Sequence, residues 1–128
     1  PWGRLGFSIC YDLRFPNLYR KLSKAGSIFL SIPSAFTETT GNRHWHSLLR
    51  ARAIENMAYC LGVNRTGKDD NLNQHNGHSA IYDVLGKQLT TSKNEGNFSE
   101  TIILEKTHIV SERAHFQFLS DRDHFTLN

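Results

Sequence analysis

Cysteine is scarce in this chain: two occur in 128 residues, Cys10 and Cys60. That is too few for the disulfide framework of a small secreted domain, so both are read as reduced thiols. Long apolar runs are missing as well. No stretch approaches the roughly 18 to 20 residues that span a bilayer, which excludes a transmembrane helix and makes the cytoplasm the expected compartment. Internal repeats, low-complexity tracts and a Pro/Gly/Ser linker are absent, so residues 1–128 read as one domain or part of one. Charge of one sign is concentrated nowhere. The 15 Lys and Arg alternate with 12 Asp and Glu along the chain for a net +3, a balance that argues against a nucleic-acid partner. The chain also lacks an initiator Met and enters strand-like sequence within a few residues of Pro1, so its N-terminus is expected to be cut from a longer chain.

What is present is an alternation of short apolar runs and helical periodicity. Arg4 to Tyr11 reads as a buried strand, and Asn17 to Lys24 carries Leu18, Tyr19 and Leu22 at helical spacing before Gly26. "SIFLSI" at 27–32 is a second buried strand ended by Pro33. The longest helix is expected to start near Gly41 or Asn42, capped by Thr39, Thr40 or Asn42, with Trp45, Leu48, Leu49, Ala53 and Met57 as its apolar stripe. Tyr59 to Val63 is a third strand, and Asn64 to Gly77 is loop by its turn residues. Strands at 78–84, 87–91 and 99–104 form a meander, and a last helix spans Ile109 to Phe118. The order strand, helix, strand, helix, strand predicts a layered α/β fold with the first two helices on one face of the sheet.

Cys10 sits where the first strand gives way to a turn and a helix. A free thiol with a pKa of about 8.5 is only a few per cent thiolate at neutral pH, so a nucleophilic Cys needs help from its surroundings. A sharp strand-to-helix turn displays its side chain and turns the following N–H groups toward an anion, which would make the Tyr11 amide a donor to a tetrahedral oxyanion. The residue pattern alone leaves Cys10 open between such a nucleophile and a small buried filler. Cys60, within "YCLGV", reads as filler.

The segments "ICYDLRFPNLYR" at 9–20, "PSAFTETTGNRHWHSLLRARAIEN" at 33–56 and "GVNRTG" at 62–67 resemble the carbon-nitrogen hydrolase (nitrilase) superfamily, nearest to its omega-amidase and deaminated-glutathione amidase branches. "GHSAIYDVLG" at 77–86 and the tail "FQFLSDRDHF" at 116–125 extend the resemblance in the same order. It implies a four-layer α-β-β-α sandwich, with residues 1–128 as the C-terminal part of a single hydrolase domain. It also implies a Glu-Lys-Cys triad with Cys10 as nucleophile, while the Glu and Lys lie upstream of this segment. Lys21, Lys24 and Glu38 are not substitutes, so this piece alone is expected to be inactive. The implied reaction is hydrolysis of an amide through a Cys10 thioester, releasing ammonia from a small carboxylate-bearing ω-amide such as 2-oxoglutaramate. Deaminated glutathione is the nearest rival substrate. The family resemblance is also compatible with a different amidase or carbamoylase activity, or with a non-catalytic binding or assembly role. No cofactor is expected, and the family implies a homodimer or higher homo-oligomer in which Phe116, Phe118 and Phe125 are covered.

Further residues carry more limited expectations. Phe36 and Thr37, just after the second strand, should line the pocket at the sheet edge that holds Cys10. Arg14 pairs with Asp12 to order the turn or binds a substrate carboxylate. "HWH" at 44–46 does not read as a metal site, because i and i+2 on a helix point about 200° apart. "RHWHSLLRAR" is basic and aromatic, but it carries the core stripe and matches no nucleic-acid module. Arg52 and Glu55 are spaced for an ion pair on a solvated helix face. His75, in a polar loop, receives no role.

Overall fold

The computed structural model describes residues 2–91 and 96–123. Strand β1 (Arg4–Phe7) leads into a 3₁₀ turn (Cys10–Arg14), helix α1 (Pro16–Lys24), β2 (Ser27–Ser34), α2 (Glu38–Asn56) and β3 (Tyr59–Asn64). A small hairpin of β4 (Thr66–Lys68) and β5 (Gln74–Asn76) follows, then β6 (Ala80–Tyr82) and α3 (Lys106–His115). Pro16 opens α1, where a missing N–H costs nothing, and Gly26 at φ +93° takes the left-handed step out of it.

The main sheet has the order β1-β2-β3-β6, parallel across the first three strands and antiparallel at β6. Gly6, Leu30, Cys60 and Tyr82 stand opposite one another in register, and so do Ile32, Gly62 and Ala80. On this face Leu30, Ile32, Cys60 and Tyr82 are buried against Tyr19 of α1 and Trp45, Leu49 and Ala53 of α2. Each large apolar side chain so buried contributes about 1.5–3 kcal/mol. α2 lies so close that a Cβ on Gly62 would sit 2.6 Å from both Leu49 and Trp45. Both helices therefore cover one face of the sheet, as the sequence predicts.

Among the described residues the opposite face is largely open. Leu5, Phe7 and Val63 are 47%, 65% and 52% exposed, while α3 covers only the end where β2 and β3 begin. There Ile109 packs with Met57, Tyr59 and Val84, and the Arg113 guanidinium donates to the carbonyls of Met57 and Asn56 at 3.0 and 3.2 Å. Among the described residues no helix is long and apolar enough to cross a membrane.

Several boundaries differ from the sequence expectation. β1 stops at Phe7 rather than Tyr11, because the chain turns at Cys10, whose φ is +46°. α2 starts at Glu38 with Thr37 as N-cap, so Thr39, Thr40 and Gly41 lie inside its first turns. Gly41 is tolerated there because it is buried against Phe36 and Asn76. The loop at 64–77 contains the β4–β5 hairpin, nucleated by Asp69, whose carboxylate accepts the N–H groups of Asn71 and Asn73 at 3.0 and 2.9 Å. Among the described residues the late meander shrinks to β6 and a bridge from Tyr82 to Gln88, and residues 99–104 form no strand. The last helix begins and ends three residues before its expected limits.

Candidate functional site

The site is built where three parallel segments end on one edge of the sheet. After β1, Ser8 is still tied to β2 through its N–H to the Ser31 carbonyl at 3.1 Å, and its hydroxyl meets that of buried Tyr19 at 2.5 Å. Burial raises the Tyr19 phenol to about 12, so it stays protonated. Two residues on, Cys10 takes a left-handed backbone conformation and opens the 3₁₀ turn. The Asp12 carboxylate closes that turn by accepting the Ile9 N–H at 2.9 Å, and the Asp12 N–H returns to the Ile9 carbonyl at 2.9 Å.

α2 holds the far side of the turn. Arg52, 4% exposed, donates Nε and one terminal N–H to the Leu13 carbonyl at 3.0 and 2.7 Å and another N–H to Glu55 at 3.0 Å. Its guanidinium also lies 5.2 Å from the Tyr19 ring centre. Cys10 is thus flanked by Ser8 and Leu13, both anchored in the buried layer, while its own side chain is partly buried at the edge of that layer. The Ala35 N–H, just past β2, points at Cys10 Sγ at 3.5 Å. The Tyr11 N–H belongs to the first turn of the 3₁₀ segment, where backbone donors have no partner further back in the helix.

Arg14 does not pair with Asp12. Its guanidinium lies between the rings of Tyr11 and Phe36, at 4.8 and 4.5 Å. Phe36 is 3% exposed and its ring also packs on Trp45 at 5.0 Å, so it supports Arg14 from within the core. Its backbone is fixed by Asn64, which accepts the Phe36 N–H at 2.7 Å and donates to the Phe36 carbonyl at 3.4 Å. Thr37 is half-buried at the start of α2, with its hydroxyl 3.3 Å from that of Thr40. The sulfur, a guanidinium and a helix start therefore meet at one edge, an arrangement able to attack a carbonyl carbon and hold a nearby anion.

A sequence profile of the carbon-nitrogen hydrolase family matches residues 1–109. This chain belongs to the carbon-nitrogen hydrolase family. The deaminated glutathione amidase of Dictyostelium discoideum is 49% identical to this chain over 89 residues, 70% of the chain and 31% of that relative. The chain thus spans under a third of the curated relatives it matches. A CN-hydrolase superfamily protein of Xanthomonas campestris, described with an arsenic adduct in its active site, is 30% identical with a TM-score of 0.85, over 98% of this chain and 49% of its own. A mutant amidase from Nesterenkonia, described with the acetamide moiety of fluoroacetamide added covalently at its active-site cysteine, is 27% identical with a TM-score of 0.62, over 68% of this chain and 32% of its own. The described residues have the nitrilase-like α/β fold expected from the sequence, with α1 and α2 layered on one face of the sheet and α3 at one end of the other.

Among the residues singled out in the sequence, Cys10, Tyr11, Arg14, Phe36 and Thr37 come together at the β1 and β2 ends. His44 and His46 diverge: His44 is exposed, and His46 turns inward to the Tyr82 hydroxyl at 2.8 Å. Burial, then His78 and Arg50, lower the His46 pKa. Phe116 and Phe118 are 51% and 40% exposed, and Phe125 lies outside the described residues. Sequence reasoning missed the Ala35 amide, Asn64 and the burial of Arg52. Asn64 and Arg52 lie within the family-like segments, but their partners are 28 and 39 residues away in sequence.

Proposed function

We propose that the longer protein containing this chain hydrolyses a small carboxylate-bearing ω-amide through a thioester on Cys10. The observation that carries the reading is the display of Cys10 on a left-handed turn at a sheet edge, its Sγ facing a backbone N–H. The covalent cysteine adduct described for the Nesterenkonia amidase supports it.

The Cys10 thiolate attacks the amide carbon, and the carbonyl electron pair moves to oxygen. The Tyr11 N–H donates to that oxyanion, and each well-placed donor of this kind is worth about 3–4 kcal/mol of barrier. The intermediate collapses with protonation of the departing nitrogen, releasing ammonia and leaving a Cys10 thioester, which water cleaves to the free carboxylate and the thiol. Arg14, supported by Phe36, pairs with the carboxylate remote from the reacting carbon, and Thr37 borders the same edge. A Glu base and a Lys oxyanion partner, supplied from upstream of this segment, complete the triad, so the 128-residue chain alone is inactive.

The relatives named deaminated glutathione amidase support a second substrate. Deaminated glutathione would yield 2-oxoglutarate with cysteinylglycine as the leaving amine, whereas 2-oxoglutaramate would yield 2-oxoglutarate with ammonia. Measuring all three products from the full-length protein separates the substrates. No product from either, with Cys10 intact, would overturn the reading in favour of a non-catalytic binding or assembly role. The proposal includes a homo-oligomer burying Phe116 and Phe118, which sedimentation velocity of the full-length protein tests.

A further inference from the structure

His75, on β5, is 3% exposed although it comes from a polar loop. Its Nδ1 lies 3.1 Å from the Phe36 carbonyl, which only accepts, so the Nδ1–H is the donor of that bond. Its Nε2 faces the Asp69 carboxylate at 3.3 Å; a carboxylate also only accepts, so the two bonds form together when both ring nitrogens carry a proton. Asp69 is itself anchored by the Asn73 side chain at 3.0 Å and by the N–H groups of Asn71 and Asn73. One residue before Phe36, the Ala35 N–H reaches Cys10 Sγ. A continuous set of hydrogen bonds therefore runs from the β4–β5 hairpin to the segment that touches the sulfur.

We propose that His75, braced by Asp69, is a positioning residue for the Cys10 nucleophile. By fixing the Phe36 carbonyl it holds the 35–37 segment so that the Ala35 N–H stays against Sγ, where a donor stabilises the attacking thiolate. Asn64 fixes the Phe36 N–H from the other side, and without His75 the adjoining Phe36–Thr37 peptide keeps only the longer bond from Asn64. The inference rests on the reading of Cys10 as a nucleophile, but it is measured on the sulfur rather than on turnover.

The test is the rate at which iodoacetamide alkylates Cys10 in the full-length protein near neutral pH, followed by peptide mass spectrometry. His75→Ala should slow it about tenfold, the equivalent of one well-placed hydrogen bond. His75→Asn, which returns an N–H close to the Nδ1 position, should restore most of the rate, and Asp69→Asn should slow it by a smaller factor. Val84→Ala removes core packing at the opposite end of the sheet; it should lower the thermal midpoint and leave the alkylation rate alone. A wild-type rate in His75→Ala, or equal slowing in Val84→Ala, overturns the proposal. If His75→Ala does not fold, a wild-type rate in Asp69→Asn overturns it instead. Slowed alkylation in a protein that hydrolyses no amide would leave this inference standing and remove the proposed activity.

Discussion

Cys10 and Cys60 carry the same side chain in opposite surroundings. Cys60 is fully buried in β3, and burial raises its thiol pKa far above the ordinary range despite the nearby Arg52 guanidinium, which acts the other way. Cys10 is only partly buried on its turn. Of these two thiols, iodoacetamide at pH 8 should therefore label only Cys10 in the native full-length protein and both in urea, as read by peptide mass spectrometry. The sequence marked Cys60 as filler, because it sits inside an apolar run, but left Cys10 open, because a run that ends in a turn does not say which way its last side chain faces. Arg52 was not legible there either. Its i,i+3 pair with Glu55 exists, but spacing on one helix cannot reveal that its remaining donors are buried against the Leu13 carbonyl.

At the scale of elements, the contact of α2 with the 3₁₀ turn is a buried clamp. Arg52→Ala leaves the Leu13 carbonyl without its charged partner and should cost about 2–3 kcal/mol in urea unfolding of the full-length protein. The β4–β5 hairpin has a pH dependence of its own. Side-chain and backbone hydrogen bonds from Asn73 lead in lowering Asp69 to about 2, below its unfolded value. A depressed carboxylate contributes stability that is complete above the unfolded pKa and is lost as pH falls through the folded one. The Asn71 and Asn73 amide resonances should accordingly titrate with a midpoint of about 2. Strand and helix identities through β3 were readable because each apolar run is short and bounded. The start of α2 was not, since Thr39, Thr40 and Gly41 read as its cap and first residue but follow Glu38 inside the helix, where Gly41 packs against Asn76 of β5. The late strands failed for a related reason: alternation at 99–104 is a weak signal without a neighbouring strand to pair with.

For the whole molecule, the parallel order of β1, β2 and β3 with both crossover helices on one face followed from the element sequence and the handedness of such connections. The openness of the other face did not, because alternating apolar residues look the same whether or not anything covers them. Leu5, Phe7 and Val63 on that face predict that the 128 residues expressed alone will bind the dye ANS and elute larger than a 14.6 kDa monomer in gel filtration. A monomeric, dye-silent chain would show that the face is satisfied within these residues. The left-handed Cys10 has one more consequence. Any side chain at that φ carries a penalty of about 1 kcal/mol that glycine escapes. Selection for heat resistance alone would drift toward Cys10→Gly, trading the thiol for a sturdier and chemically silent protein.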